Sequence, residues 1–341
     1  MKALVKEKRA PGAILKQVDV PKVKSNHVLA KVEAASICGT DVHIYEWNKW
    51  AATNAKPPKI MGHEFCARVV EVGENVARLK KGDLISGETH LYCGHCYQCR
   101  IGNYHLCLNM KLRGVDTDGC FAEYVLVSEK TAWKNDPSIP RFVASAQEPL
   151  GNAVHSVFAG EVTGQAVVVF GCGPIGLCAI ELCKSAGASL VAAVDISDYR
   201  LNLAKKMGAD LLVNAMNGDP LNKLQNSLPH GADVILEMSG SQKALEQGLK
   251  VASRAGRVTL LGLPEGRVSI DLSNDVILKG LNIQGIFGRK IFATWELASR
   301  LMKTKKVDLR KIITHRMNIE EYEQAFDLMA EGKCGKIVFT I

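Results

Sequence analysis

A chain of 341 residues exceeds the ~250–300 residues at which a single hydrophobic core stops growing, so two domains are expected. Its 47% hydrophobic and 23% charged residues are those of an ordinary globular protein and exclude a disordered or fibrous class. The net charge of +8 is scattered along the chain rather than gathered in a basic block, so neither nucleic acid nor a membrane surface is expected as a partner. No apolar run approaches the ~18 residues of a membrane span. The start, Met1-Lys2-Ala3-Leu4-Val5-Lys6-Glu7-Lys8, breaks every short apolar stretch with a charge and excludes the core of a signal peptide, so a cytoplasmic protein is expected. Eleven cysteines in such a chain point to metal ligands and buried thiols rather than disulfides.

The first 150 or so residues read as strands broken by Gly, Pro and Asn, among them His27–Ala34 and Ala67–Gly73, which predicts a mostly β domain. From about Gly164 short apolar runs alternate with helical periodicity. Ala166–Phe170, Leu190–Val194, Ala232–Leu236 and Arg257–Leu261 read as strands buried on both faces, with helices over Ile175–Ala186, Tyr199–Met207 and Gln242–Ala252. That series predicts a doubly wound parallel sheet. Helices follow at Thr294–Lys303 and Ile319–Ala330, then a strand at Lys336–Ile341 that must find a partner. The expected division is an α/β protein with a β-rich domain of residues 1–151 and 292–341, into which a parallel-sheet domain of residues 152–291 is inserted.

Three constellations carry chemistry. Cys38, in Ile37-Cys38-Gly39-Thr40-Asp41-Val42-His43, His63, in Gly62-His63-Glu64, and Glu148, in Gln147-Glu148-Pro149, supply a thiolate, an imidazole and a carboxylate. Three such ligands leave a fourth position open, the layout of a catalytic zinc. Each alone is weak evidence, because a lone cysteine in an apolar context is usually core and a lone histidine usually a satisfied surface or core residue. Cys93, Cys96 and Cys99, followed by Cys107, are spaced for a closed tetrahedral zinc site with Gly94 and Gly102 at its turns; four cysteines also suit an iron–sulfur cluster.

The third is Val167-Val168-Val169-Phe170-Gly171-Cys172-Gly173-Pro174-Ile175-Gly176, a strand running through GxGxxG into a helix. Its glycines bring backbone N–H groups against a pyrophosphate at a helix N-terminus. Asp195, nineteen positions after Gly176, is placed to accept from both ribose hydroxyls and to repel a 2′-phosphate, which favours NAD over NADP; Arg200 could pair such a phosphate but with Asp195 in place is expected to flank the adenosine.

Together these segments resemble the zinc-containing medium-chain dehydrogenases over nearly the whole chain, which implies a GroES-like catalytic domain beside a Rossmann domain. Within that superfamily, Cys38 to Trp47, Glu148 to His155 and Gly285-Ile286-Phe287-Gly288-Arg289 look most like the L-threonine 3-dehydrogenases. The resemblance implies NAD and two zinc ions per subunit, one catalytic and one structural, a homotetramer, and oxidation of the L-threonine β-hydroxyl to 2-amino-3-oxobutanoate in threonine catabolism. It implies Cys38, His63 and Glu148 at the catalytic zinc, Glu64 beside it as a neighbouring or alternating ligand, and Thr40 and His43 as a proton relay. It further implies cofactor contacts from Ile175, Asp195, Arg200, Leu261-Gly262-Leu263 and Ile286-Phe287. The pattern departs at Ala67, where the family usually has Gly. Polyol dehydrogenases of the sorbitol and butanediol type share the CGxD and GHE segments and are the rival reading; a catalytically silent NAD-binding regulator would not need both metal sites. Arg289 and Glu148 are candidates for binding the threonine carboxylate and ammonium.

Overall fold

The long strand expected near His27 runs over His27–Ser36 and organises the β-rich part of the chain. Glu64–Val72 pairs antiparallel along one of its edges. Two strands share the other edge: Tyr124–Ser128 opposite its beginning and Lys336–Thr340 opposite its end, where Val338 faces Ser36 and Phe339 faces Ala35. The terminal strand also pairs in parallel with Ile313–Asn318, and the sheet continues on the far side through Leu84–Gly87 to Ala132–Lys134. The computed structural model describes residues 1–264 and 266–341.

By contact the chain divides into two compact units, one of Met1–Glu148, Lys290–Lys303 and Ile313–Ile341, the other of Pro149–Arg289 and Thr304–Ile312. The core of the first gathers Val28, Ala30, Val32 and Ala35 from the central strand with Phe65, Phe121 and Phe339, none more than 1% exposed. Phe121 and Phe339 meet edge to face, with centroids 5.5 Å apart. Trp295, on the helix Ala293–Lys303, is equally buried; its indole N–H donates to Glu88 at 2.7 Å, and its ring lies 5.9 Å from that of Trp133.

In the second unit the expected strands form at Ala166–Phe170, Leu190–Asp195, Ala232–Glu237 and Ala252–Leu260, joined by Leu211–Asn214 and Asn282–Gly285. Counted in chain order these lie as 3-2-1-4-5-6, all parallel, the doubly wound arrangement. The two added strands are at the sheet edges and short, with one buried residue in Leu211–Asn214 and none in Asn282–Gly285, so they lack the long apolar run that marks a strand covered on both faces. Arg257 holds the end of the helix Gln147–Val157 through the Ser156 and Val157 carbonyls, each at 3.1 Å, a cation set against a helix C-terminus.

The observed division differs from the expected one in three places. Lys290 and Ile291 group with the first unit. Pro149 to Gly151 group with the second unit, and so do Thr304–Ile312. The latter are held by Glu181, on the helix Pro174–Ser185, whose carboxylate accepts the Asp308 N–H at 3.0 Å and pairs with the Lys311 ammonium. Nothing periodic in the segment announces such a tie.

All four tryptophans lie in the first unit, so their fluorescence reports its unfolding. Phe339→Ala should destabilise that unit by about 3–5 kcal/mol in chemical denaturation, because the aromatic cavity cannot collapse. A loss below ~1 kcal/mol would show that the terminal strand contributes little to the core.

Candidate active site and metal centres

The segments that carry Cys38 and His63 are held together by Asp41. Cys38 precedes the helix Gly39–Glu46, and Asp41, at the third helical position, accepts the Cys38 N–H at 2.9 Å. Its other oxygen accepts the Gly62 N–H at 3.2 Å and lies 3.8 Å from His63 Nδ1. One fully buried carboxylate thus holds together the two segments that carry Cys38 and His63. Gly62 has a φ of 86°, and a Cβ there would sit 2.3 Å from the Phe121 ring, so only glycine delivers His63 in this direction.

The ligand atoms of Cys38, His63 and Glu64 lie within 4.8 Å of one another. His63 is 4% exposed, and its Nδ1 has no hydrogen-bond partner among the described residues. Burial lowers the imidazolium, but Asp41 and Cys38 outweigh it and raise the group to about 10. A thiolate, an imidazole and a carboxylate at this spacing suit zinc.

Glu64 is wholly buried. Its carboxylate pairs with Lys336 Nζ at 2.6 and 2.7 Å and accepts the Ser36 hydroxyl, while Lys336 also donates to the Ile37 carbonyl at 2.8 Å. Burial works against the Lys336 ammonium, yet the facing Glu64 raises it above its ordinary value. Glu148 is 5% exposed on the helix Gln147–Val157 and accepts the Thr89 hydroxyl at 2.7 Å. It is close enough to act on His63 and Lys336 through its charge. The geometry therefore sets Glu64 in the tight triad and Glu148 beside it, the reverse of the emphasis the sequence suggests.

Thr40 Oγ1 stands 3.8 Å from Cys38 Sγ. His43 is exposed on the same helix, and its Nδ1 lies 2.8 Å from the Asn48 amide nitrogen. Asn48 Oδ1 is committed to the Ala51 N–H at 3.0 Å as the cap of the helix Lys49–Asn54, so its Nδ2 donates to His43. By that network His43 Nδ1 accepts, and the neutral ring carries its proton on Nε2.

Cys93, Cys96, Cys99 and Cys107 also converge within 4.8 Å. Backbone N–H groups surround the sulfurs: Cys93 N–H on Cys107 Sγ at 3.2 Å, and Cys96 N–H on Cys93 Sγ and Leu108 N–H on Cys96 Sγ, both at 3.4 Å. The His95 N–H foremost holds the Cys93 thiol well below its ordinary value, and the Cys99 N–H does the same for Cys96. Such donors stabilise thiolates, the form that binds metal.

In the second unit Gly171 has a φ of 92°, and a Cβ on Gly176 would fall 1.9 Å from the Gly171 carbonyl, so the turn closes only with glycine at both positions. A Cβ on Gly173 would meet nothing within 4 Å; that side of the turn is open for a ligand to approach. Gly173 caps the helix Pro174–Ser185 without a side-chain acceptor, leaving its leading edge, with Ile175, for a pyrophosphate. Asp195 accepts the Cys172 N–H at 2.7 Å and the Ser197 N–H at 2.9 Å, one on each oxygen, with further lone pairs for ribose hydroxyls. The Arg200 N–H is turned to Ser197 Oγ. Leu261 and Gly262 both donate to the Glu237 carbonyl, fixing the turn into Leu263. Ile286 is buried and Phe287 exposed. Arg289 is 1% exposed and donates to Asn152 Oδ1 at 3.0 Å, in the second unit. Asp41 and Lys336 were not singled out by the sequence. The signal for Asp41 is a carboxylate three residues after a cysteine at a helix start; Lys336 is 272 positions from Glu64 and has none.

The chain matches the family described as "Alcohol dehydrogenase GroES-like domain" over residues 24–140 and that described as "Zinc-binding dehydrogenase" over residues 174–304. It is 51% identical to the L-threonine 3-dehydrogenase of Pyrococcus abyssi, over 100% of this chain and 99% of that one. A zinc-binding dehydrogenase from Sinorhizobium meliloti bound to NADP has a TM-score of 0.92 at 30% identity, covering 100% and 99% of the two chains. The 2R,3R-butanediol dehydrogenase of Bacillus subtilis has a TM-score of 0.90 at 29% identity, again covering 100% and 99%.

Ligation needs a neutral His63, and the metal-free site holds that proton up to about 10. Zinc added to the stripped protein near neutral pH should release protons, and its apparent affinity should fall about tenfold for each unit by which pH is lowered, per proton displaced. Calorimetry in buffers of differing ionisation enthalpy, with His63→Gln as the reference, isolates this site. Equal proton release by both proteins would show that His63 does not ligate.

Proposed function

Because the chain belongs to the L-threonine 3-dehydrogenase family of zinc-containing medium-chain dehydrogenases, we propose that it oxidises the β-hydroxyl of L-threonine to 2-amino-3-oxobutanoate with NAD. The observation that carries the chemistry is the convergence of Cys38, His63 and Glu64 within 4.8 Å in a chain that also closes a glycine turn backed by Asp195. When bound, zinc supplies Lewis acidity and NAD the hydride acceptor.

The chain's own residues do the rest. Cys38, His63 and either Glu64 or Glu148 hold the catalytic ion, and Lys336 governs how far the Glu64 carboxylate is free to join them. Thr40, beside Cys38, is the first acceptor for the hydroxyl proton, and His43, exposed further along the helix, is its outlet to water. A second zinc in the four-cysteine lobe is structural, since protein fills every position. Asp195 selects NAD by repelling a 2′-phosphate. The same reading has the enzyme working in the cytoplasm as a homotetramer.

The fold likeness to a butanediol dehydrogenase keeps a secondary-alcohol substrate as the second reading. Purified enzyme assayed with L-threonine, serine, sorbitol and 2,3-butanediol, each with NAD and with NADP, decides between them by absorbance of the reduced cofactor. The highest kcat/KM is expected for L-threonine with NAD. A preference for sorbitol or butanediol would overturn the substrate, and equal use of NADP would overturn the role of Asp195.

The two metal sites should also separate in their failures. Cys99→Ser is expected to lose zinc and folded yield together. Cys38→Ser should stay folded, lose about one zinc per chain by elemental analysis and lose essentially all turnover. Full activity in Cys38→Ser would remove it from the site.

A further inference from the structure

A cavity of about 1180 Å³ opens on the first unit, and none of Cys38, His63, Glu64 or Glu148 lines it. Arg113 does. This arginine is 3% exposed, and among the described residues its guanidinium bonds only the Leu126 carbonyl, from Nη1 at 3.1 Å, leaving the buried Nε without an acceptor. His27 Nδ1 and Thr117 Oγ1, two further buried atoms without partners, belong to residues lining the same cavity. Three unsatisfied polar atoms, two from the Arg113–Thr117 loop and one from His27, are a cost to the empty protein.

Basic groups outnumber acids in the lining of the cavity. After burial itself, Lys24, Arg113 and Lys130 are what hold the His27 imidazolium below its ordinary value, so four basic groups face one another there. Of the acids lining it, Asp118 accepts the Ile60 N–H and Glu129 accepts the Ala77 and Arg78 N–H groups, which leaves Asp19; outside the lining, the buried Glu88 also acts on Arg113 through its charge. Lys130 is anchored on the Tyr92 carbonyl, with its ammonium 4.7 Å over the Tyr92 ring. Val18, Ile60 and Tyr92 give the cavity an apolar wall beside these cations.

We propose that this cavity binds a small molecule carrying a phosphoryl group, held by Arg113, His27 and Thr117 with Lys24 and Lys130 around it. A tetrahedral dianion offers acceptors in several directions, which suits donors arriving from separate segments, whereas a carboxylate offers two oxygens in one plane. The volume exceeds what phosphate alone fills, so the ligand has an organic body lying against the apolar wall.

The test uses zinc-loaded enzyme saturated with NAD, so that the glycine turn is already occupied. Inorganic phosphate, phenyl phosphate and benzoate are titrated by calorimetry and by shift in melting temperature. Phenyl phosphate is expected to bind about tenfold more tightly than phosphate and to raise the melting temperature, with benzoate far weaker. Arg113→Met, which keeps the buried stem, and Lys24→Glu, an exposed change, should each weaken phenyl phosphate about tenfold or more while turnover is unchanged. Should Arg113→Met fail to fold, Lys24→Glu alone decides. Absence of binding by both phosphates at ~10 mM, benzoate binding as tightly as phenyl phosphate, or affinity unchanged in the folded variants would each overturn the proposal.

Discussion

The buried ion pair between Lys336 and Glu64 is the constraint on which the catalytic unit depends. Neither residue is more than 1% exposed, and such a pair persists only when both charges are paired and hydrogen-bonded. Ser36 and the Ile37 carbonyl complete that shell, so the last strand, the central strand and the strand carrying Glu64 meet at one point. Removing either partner strands a charge in the interior, at a cost of about 3–5 kcal/mol. The same pair places a competitor for Glu64 beside His63. The carboxylate of the triad is therefore not a free ligand, and the second acid, Glu148, has a reason to stand close by.

Asp41 complements this arrangement from the other side. By accepting the N–H groups of both Cys38 and Gly62, it converts two distant segments into one site without itself being needed as a ligand. Such a carboxylate orients ligands and favours the charged form of His63 until a metal displaces the proton. The four-cysteine lobe is built on the opposite principle. Its ligands come from one short stretch, its backbone N–H groups point at its own sulfurs, and nothing outside the lobe is required to define it.

The nucleotide turn shows how local sequence and tertiary position divide the work. Gly171 and Gly176 are dictated by the turn's own sterics, Gly173 by the space a ligand needs, and Asp195 by its place at the end of the adjacent strand. The first strand lies between the second and the fourth, so the turn stands where the direction of winding reverses, as in other open parallel sheets.

What the sequence by itself determined was everything that short-range chemistry specifies. The apolar runs of the parallel sheet, the helices between them, the glycine turn and the four-cysteine lobe are each complete within about 35 residues, and periodicity or spacing is enough to show them. The strand Lys336–Thr340 was legible, but its partners were not. The edge strands Leu211–Asn214 and Asn282–Gly285 escaped because an edge needs no continuous apolar run. Only the tertiary structure showed that Glu64 lies within 4.8 Å of Cys38 and His63, that Lys336 holds Glu64, and that Thr304–Ile312 sides with the second unit. Each of these rests on one charged or hydrogen-bonded contact across more than a hundred residues, or on the position of a single side chain, and such contacts leave no period in the sequence.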